Sequence, residues 1–209
     1  MINTVTVSPQ NLKITIIGIY DNDWYLENKN QFLNFCKSSL DKPSPATVNM
    51  YDDDWENKSN TLPYLIYKTD RFKNDNGNFY LAFYNDEIIV CSGVYRSSFD
   101  TNVAIANVRL YCKPEFRGKL TFPNRFISPI QTQWARDHNI KVMCSTLNDY
   151  NKRLIPILIR GFFGDNENPI HALDFPIYYN YTKQWVIYSN LDNDYVVNWE
   201  KIRYNGNDK

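Results

Sequence analysis

The chain has 209 residues, 43% of them hydrophobic, which is typical of a globular protein. A chain of this length buries about 70% of the surface that it exposes when unfolded, so it can form a core without disulfides or metals. Its 23 basic residues balance 23 acidic ones, and this zero net charge argues against broad attraction to nucleic acid or to an anionic membrane.

Residues 12–68 are predicted to form a strand, a helix, a loop and a short second strand. The Ile-rich residues 12–20 predict a strand. Apolar residues then recur at helical spacing over residues 23–40 and predict an amphipathic helix. The polar residues 42–62 predict a loop, and residues 65–68 predict a short strand.

A run of strands follows. Residues 79–84 and 87–96 are rich in β-forming residues, and Asn85-Asp86 between them is a two-residue connection typical of a tight hairpin. Residues 103–113 add a third strand. We therefore predict an antiparallel meander in the middle of the chain.

The spacing of apolar residues becomes helical after this meander. We predict a helix that begins with Ser128 as N-cap and Pro129 as its first residue, because proline needs no backbone donor there. A strand at 141–147, a helix at 149–160 and a strand at 185–189 complete the prediction. This order of elements favours an α+β fold over a doubly wound nucleotide-binding fold.

The cysteines and the N-terminal residues narrow the class of protein further. The four cysteines form no CxxC pair and the chain has only two histidines, so the sequence predicts buried free thiols and no metal site. The first ten residues lack the features of a signal peptide, and no apolar run reaches the ~18 residues of a membrane-spanning helix. We therefore expect a cytoplasmic protein with no membrane or nucleic-acid partner.

Two segments of the sequence carry recognisable motifs. The first is NVRLYCKPEFRGK and, after a predicted helix, the second is IKVMCSTLNDYNKRLIPILIRGFF, which contains the pair Gly161-Phe162. The first segment is similar to the V-x-P-x-x-R/Q-G-x-G-x-G/A loop of the GNAT superfamily of N-acyltransferases, and the second resembles the segment of that family that ends in a Gly-Phe pair. The resemblance covers about residues 79–189.

The resemblance implies a GNAT-like α+β fold, with a mixed and mostly antiparallel central sheet flanked by helices, in a single domain over residues 1–204 and a frayed tail at 205–209. It also implies transfer of an acetyl or other acyl group from acyl-CoA to an unidentified amine by direct attack. The strand before the loop can splay from the next strand and pair with the pantetheine arm. The implied cofactor-binding residues are Leu110, Tyr111, Cys112, Arg117, Gly118, Lys119, Leu120, Thr121, Asn148 and Asn151.

Two residues are candidates for the chemistry of such a transfer. Asp100 precedes the central strand and could act as general base towards the acceptor. Tyr111 lies on that strand and could donate a proton to the leaving CoA thiolate.

Departures from the family pattern keep other functions open. Leu120 and Phe122 stand where the family has glycines, and Ile157 stands where it frequently has a tyrosine acid. One alternative is a catalytically inactive GNAT-fold binding or virion-associated protein that has lost the CoA phosphate cradle. Another is an unrelated α+β enzyme whose groove uses the abundant aromatic residues. The state of assembly is open, with a homodimer as one option.

Overall fold

A computed structural model describes residues 2–7, 12–19, 27–28, 30–32, 34–35, 76–116, 124–159, 168–179 and 182–204. The strands in these residues form one sheet in the spatial order β1-β2-β3-β4-β5-β6-β9-β7, with β8 also paired to β9. Only β5 and β6 pair in parallel among them. The strands are β1 Ile2–Val7, β2 Leu12–Gly18, β3 Gly77–Tyr84, β4 Glu87–Arg96, β5 Val103–Cys112, β6 Val142–Asn148, β7 Ile170–Ala172, β8 Ile177–Tyr179 and β9 Thr182–Asn190.

Helices lie on both faces of this sheet, so the predicted α+β architecture with a mixed, mostly antiparallel sheet is confirmed. The described helical residues between 27 and 35 are called α1, and the later helices are α2 Asn124–Asp137, α3 Ile155–Ile159 and α4 Trp199–Tyr204. In the part of the chain that the structure describes, no helix is long and apolar enough to cross a membrane.

The core has two layers, one on each face of the sheet. Alternate residues of β5 show this division, because Val103 and Ile105 belong to one buried cluster and Ala104 to the other. The first cluster includes side chains of α1 and α4, and the second includes side chains of α2. Ring contacts fasten α1 to the first face, since Phe32 meets Phe79 edge-on at 6.1 Å between centroids. An aromatic pair of this geometry contributes about 0.5–1.5 kcal/mol beyond its buried area.

Several element boundaries differ from the sequence-based prediction. α2 begins at Asn124, so the predicted start at Ser128 is wrong and Pro129 lies inside the helix. The earlier start places Phe126 and Ile127 in the core beneath the sheet, at 6% and 0% exposure, and this burial outweighs the single hydrogen bond that proline removes.

The predicted helix at 149–160 is also different in the structure. Asp149–Leu154 forms a 3-10 helix, and only Ile155–Ile159 is α-helical. Pro156 is then the second residue of α3, where its missing N–H breaks no helical bond. Strands β7 and β8 were not predicted from the sequence, because three residues are too few to show a period. Strand β1 was not predicted either.

The predicted hairpin between β3 and β4 is confirmed. Asn85 and Asp86 have φ angles of 48° and 62°, which is the left-handed conformation that a two-residue type I′ turn requires at both positions. Residues other than glycine, asparagine and aspartate pay a steric cost there.

The left-handed conformation of this turn leads to a prediction about the free energy of unfolding. Asp86→Ala should lower the free energy of unfolding by about 1 kcal/mol, because alanine resists positive φ, whereas Asp86→Gly should not destabilise the protein. Urea unfolding measures both variants. Asp174→Ala is the matched control, since Asp174 is exposed and its φ is not positive. Equal destabilisation by Ala and Gly at position 86 would contradict the turn assignment.

Candidate functional site

Strands β5 and β6 are paired at one end and separate at the other. Three residue pairs join them, of which Ile105 and Cys144 form the last. Beyond that pair, the described residues 145–148 of β6 pair only with β9, on their other side. The structure therefore contains a wedge between β5 residues 106–112 and β6 residues 145–148, which we call the splayed cleft.

The paired end of the two strands is held by the turn before β5. The carbonyl of Asn102 accepts hydrogen bonds from the backbone N–H groups of Lys141 and Val142, at 2.8 and 3.1 Å. These bonds extend the junction by one residue before the parallel ladder begins. The cleft therefore has a fixed, closed end.

Two β-bulges in β5 explain why the strands separate. Tyr95 of β4 pairs with Ile105, but Gly93 pairs with Val108, so two residues of β5 face one residue of β4. A second extra residue lies between Val108 and Tyr111. Each bulge bends the strand and increases its twist. The first bulge follows directly on the last β5–β6 pair, so the bend turns β5 away from β6.

Asn107 is the residue at the centre of the first bulge. Its φ of 56° is left-handed, a conformation that asparagine tolerates better than most residues. The residue is partly exposed, yet both polar atoms of its side-chain amide are inaccessible to solvent. Neither atom has a hydrogen-bond partner among the residues that the structure describes. The bulge thus contains a side-chain amide whose donor and acceptor atoms make no hydrogen bond to the described residues.

Gln131 of α2 fixes this bulge from the second face of the sheet. Its Oε1 accepts a hydrogen bond from the backbone N–H of Asn107 at 3.3 Å. Its Nε2 donates to Ser92 Oγ and to the Gly93 carbonyl, at 3.0 and 3.1 Å. The side chain is fully buried, and these three hydrogen bonds take the place of hydrogen bonds to water.

The sequence analysis did not single out Gln131, although the sequence carries a signal for it. The residue lies four positions after Ile127 and three before Trp134, which places it on the apolar face of α2. A polar residue on such a face needs a buried partner. Only the structure shows that these partners lie on β4 and on the bulged strand β5.

Helix α2 runs from the open end of the cleft to its closed end. Asn139, with a φ of 56°, ends the helix, and the N–H of Ile140 donates back to the Ala135 carbonyl at 2.9 Å. Arg96 Nη2 donates to the His138 carbonyl at 2.6 Å, which ties this end to β4 near the closed end. The helix N-terminus at Asn124 therefore lies towards the open end, and the N–H groups of a first helical turn, which have no partner within the helix, favour an anion.

Solved structures with the same architecture identify the fold. An acetyltransferase of the GNAT family from Staphylococcus aureus Mu50 aligns with a TM-score of 0.55 and 16% identity, over 86% of this chain and 99% of that one. The GNAT domain of S. lividans PAT aligns with a TM-score of 0.58 and 11% identity, over 91% and 97% of the two chains. The chain has the GNAT fold. An uncharacterised protein from Bacillus halodurans is similar too, with a TM-score of 0.57 and 10% identity over 90% of both chains.

Sequence comparison alone does not find this relationship, since no protein-family model and no curated protein matches the chain. The GNAT fold was nevertheless predicted from the sequence, and the structural similarity confirms that prediction.

Three of the predicted cofactor-binding residues lie on the β5 side of the cleft. Leu110 is half-buried against the second cluster, and Cys112 is buried within it. Tyr111 is buried on the opposite face, where its ring meets Phe35 of α1 edge-on at 5.5 Å. The remaining loop residues of the prediction lie outside the described part of the chain; they are Arg117, Gly118, Lys119, Leu120 and Thr121.

Asn148 and Asn151 lie on the β6 side, at the open end. Asn148 is the last residue of β6, and Asn151 is half-buried in the 3-10 helix that follows. Asp149 fastens this turn to β9 by accepting a hydrogen bond from Trp185 Nε1 and pairing with Lys183 Nζ at 3.1 Å. The Trp185 hydrogen bond, followed by that from Lys183, lowers the pKa of Asp149. The two asparagines are thus placed on an anchored turn.

Asp100 lies at the other end of β5 from Tyr111. Its Oδ2 accepts a hydrogen bond from Tyr195 Oη at 2.7 Å, and its Oδ1 accepts one from the Asn102 N–H at 2.9 Å. The bond to Asp100 is the main cause that raises the pKa of the Tyr195 hydroxyl. This carboxylate shapes the turn at the closed end, so the structure does not bring it together with the residues of the cleft.

All of the described cysteines are buried. Cys91 and Cys144 are fully buried, and burial raises the pKa of both thiols. No group of three metal-ligating side chains occurs within the described ranges. Burial of Cys91, Cys112 and Cys144 as free thiols confirms the prediction for these three, while Cys36 lies outside the described residues.

Alkylation tests the inertness of these thiols. In mildly alkaline buffer, iodoacetamide should leave Cys91 and Cys144 unmodified in the folded protein and modify both after denaturation, because the thiolate is the reactive form. Peptide mass spectrometry measures the extent of labelling. Labelling of folded Cys144 at the rate seen in denatured protein would show that it is not buried as described.

Removal of the Gln131 bridge should destabilise the fold. Gln131→Leu removes the partner of the Ser92 hydroxyl, the Gly93 carbonyl and the Asn107 N–H. We therefore expect the free energy of unfolding to fall by about 2–4 kcal/mol. Urea unfolding measures this loss. Gln133→Leu, at an exposed position on the same helix, should change stability by less than about 0.5 kcal/mol. Similar losses in the two variants would contradict the bridge.

Proposed function

We propose that this protein is an N-acyltransferase that binds acyl-CoA in the splayed cleft and transfers the acyl group to an amine. The observation that carries the proposal is the separation of β5 from β6 after Ile105 and Cys144. The GNAT fold of the chain supports the same activity, and its S. aureus structural neighbour is an acetyltransferase.

The β5 side of the cleft suits the pantetheine arm of CoA. Residues 106–112 have β4 on one side, and no described strand pairs with them on the other. Backbone N–H and C=O groups at such an edge seek partners, and an extended chain with amide groups can add to the edge as a strand would. The two amides of pantetheine provide those partners.

The diphosphate of CoA would lie at the open end, at the N-terminus of α2. The free N–H groups and the helix dipole favour an anion there. We assign residues 117–121 to this part of the ligand, with Arg117 and Lys119 supplying positive charge. Asn148 or Asn151 would contact the ligand from the β6 side.

The reaction requires few groups from the protein. The neutral amine nitrogen attacks the thioester carbonyl carbon, the C–S bond breaks, the amine loses one proton and the CoA thiolate gains one. Holding the two reactants together provides much of the acceleration. Tyr111 is our candidate for the proton donor to the thiolate, because it lies on the cleft strand. We assign Asp100 to the closed turn instead, because its carboxylate is already bound by Tyr195 and Asn102.

A second function is a GNAT-fold protein that binds acyl-CoA or a related thioester without transferring the acyl group. Ile157 favours it, since this residue stands where the family frequently has a tyrosine acid. The same experiment distinguishes the two functions.

Calorimetry with acetyl-CoA tests the proposed site. The protein should bind acetyl-CoA, and ligand at 100 times its dissociation constant should stabilise the fold by about 2.7 kcal/mol. Arg117→Ala should weaken binding about tenfold, because a charge-assisted contact to phosphate is lost. Lys201→Ala, on α4 across the sheet, is the charge-matched control and should bind normally.

Release of CoA thiol in the presence of a panel of amines then measures transfer. Binding with amine-dependent thiol release supports the acyltransferase, and binding without it supports the second function. No binding of CoA, acetyl-CoA or longer acyl-CoAs by the unaltered protein would refute both.

A further inference from the structure

Asn107 lies on β5 where the closed and open parts of the splayed cleft meet. The last β5–β6 pair ends at Ile105, two residues earlier, and the bulge centred on Asn107 begins the separation. Its backbone N–H is held by Gln131, so the position of the residue is fixed. Its Nδ2 and Oδ1 have no hydrogen-bond partner among the described residues.

An unused buried amide is costly, and this cost needs an explanation. Leaving a buried donor or acceptor unsatisfied costs about 1–3 kcal/mol. Left-handed φ alone does not account for asparagine at this position, because glycine adopts the same conformation without burying any polar atom. A ligand that engages the amide would remove the cost on binding, and so account for the choice of residue.

We propose that the side chain of Asn107 is the group that orients both reactants in the cleft, an inference that rests on the proposed acyl transfer. Its Nδ2–H donates to the carbonyl oxygen of the acyl thioester, and its Oδ1 accepts from an N–H of the acceptor amine. In this arrangement the residue, which is partly exposed, turns its buried amide towards the cleft as the reactants bind.

The chemistry of an amide side chain determines what this contact can do. Nδ2–H stabilises the negative charge that develops on the carbonyl oxygen during attack, which is a common source of catalysis. Oδ1 aligns the amine but is neutral, so it does not take the proton. The site therefore favours an acceptor that arrives as an uncharged amine, with its proton passing to water as the C–N bond forms.

The experiment compares two substitutions that keep the bulge. Asn107→Gly removes the amide and retains the left-handed φ. Asn107→Asp keeps the shape and the acceptor oxygen but replaces the donor with a negative charge. Thr132→Val is the matched control, because it removes another buried polar atom that lacks a partner among the described residues. Urea unfolding of each variant establishes that it is folded.

The ligands are CoA, which has no acyl carbonyl, and an acetyl-CoA analogue in which CH2 replaces the thioester sulfur. The Gly and Asp variants should bind the analogue about 3- to 10-fold more weakly than the unaltered protein while binding CoA equally well. Their kcat should fall about 10²- to 10³-fold, as expected for loss of an oxyanion donor. Thr132→Val should match the unaltered protein in all three measurements.

Two different failures are distinguishable. If the unaltered protein binds neither CoA nor the analogue, the proposed function itself is wrong. If it binds both, and the Gly and Asp variants retain its affinities and kcat, then Asn107 serves only the geometry of the bulge and this inference is wrong.

Discussion

The first bulge in β5 is the constraint on which the candidate site depends. A parallel pair of strands with regular register would remain hydrogen-bonded along its length and leave no room between them. The extra residue opposite Val94 bends β5 just after Ile105. Without that bend, β5 would have no free edge facing β6, and α2 would begin beside a closed sheet.

The bulge persists because neighbouring elements hold it. A left-handed residue within a strand is unfavourable by itself, but Gln131 binds the backbone N–H of Asn107 and two groups of β4 at once. Helix α2 brings Gln131 to this position because its core residues pack beneath the sheet. The same helix directs its N-terminus to the open end. The packing of α2, the bend of β5 and the direction of the helix are therefore consequences of one arrangement.

The two ends of the cleft differ in how they are built. The closed end is built from turns in which Asp100, Asn102 and Tyr195 are hydrogen-bonded to one another. The open end is lined by strand residues on one side and by the anchored turn after β6 on the other. A site for an extended ligand requires rigid support at one end and, at the other, backbone groups that no neighbouring strand already binds.

Local patterns in the sequence determined the parts of this protein whose signals are short-range. The turn at Asn85-Asp86 and the strands around it were sufficient to predict the hairpin, because turn chemistry and alternation act within a few residues. The GNAT fold was predicted from the order of elements and the resemblance of two segments to that family. Only the tertiary structure decided where α2 begins, since burial of Phe126 and Ile127 overrides the local preference of Pro129 for a first turn. It also decided the bulge and its partner Gln131, because the register of β5 against β4 depends on contacts between residues far apart in the chain.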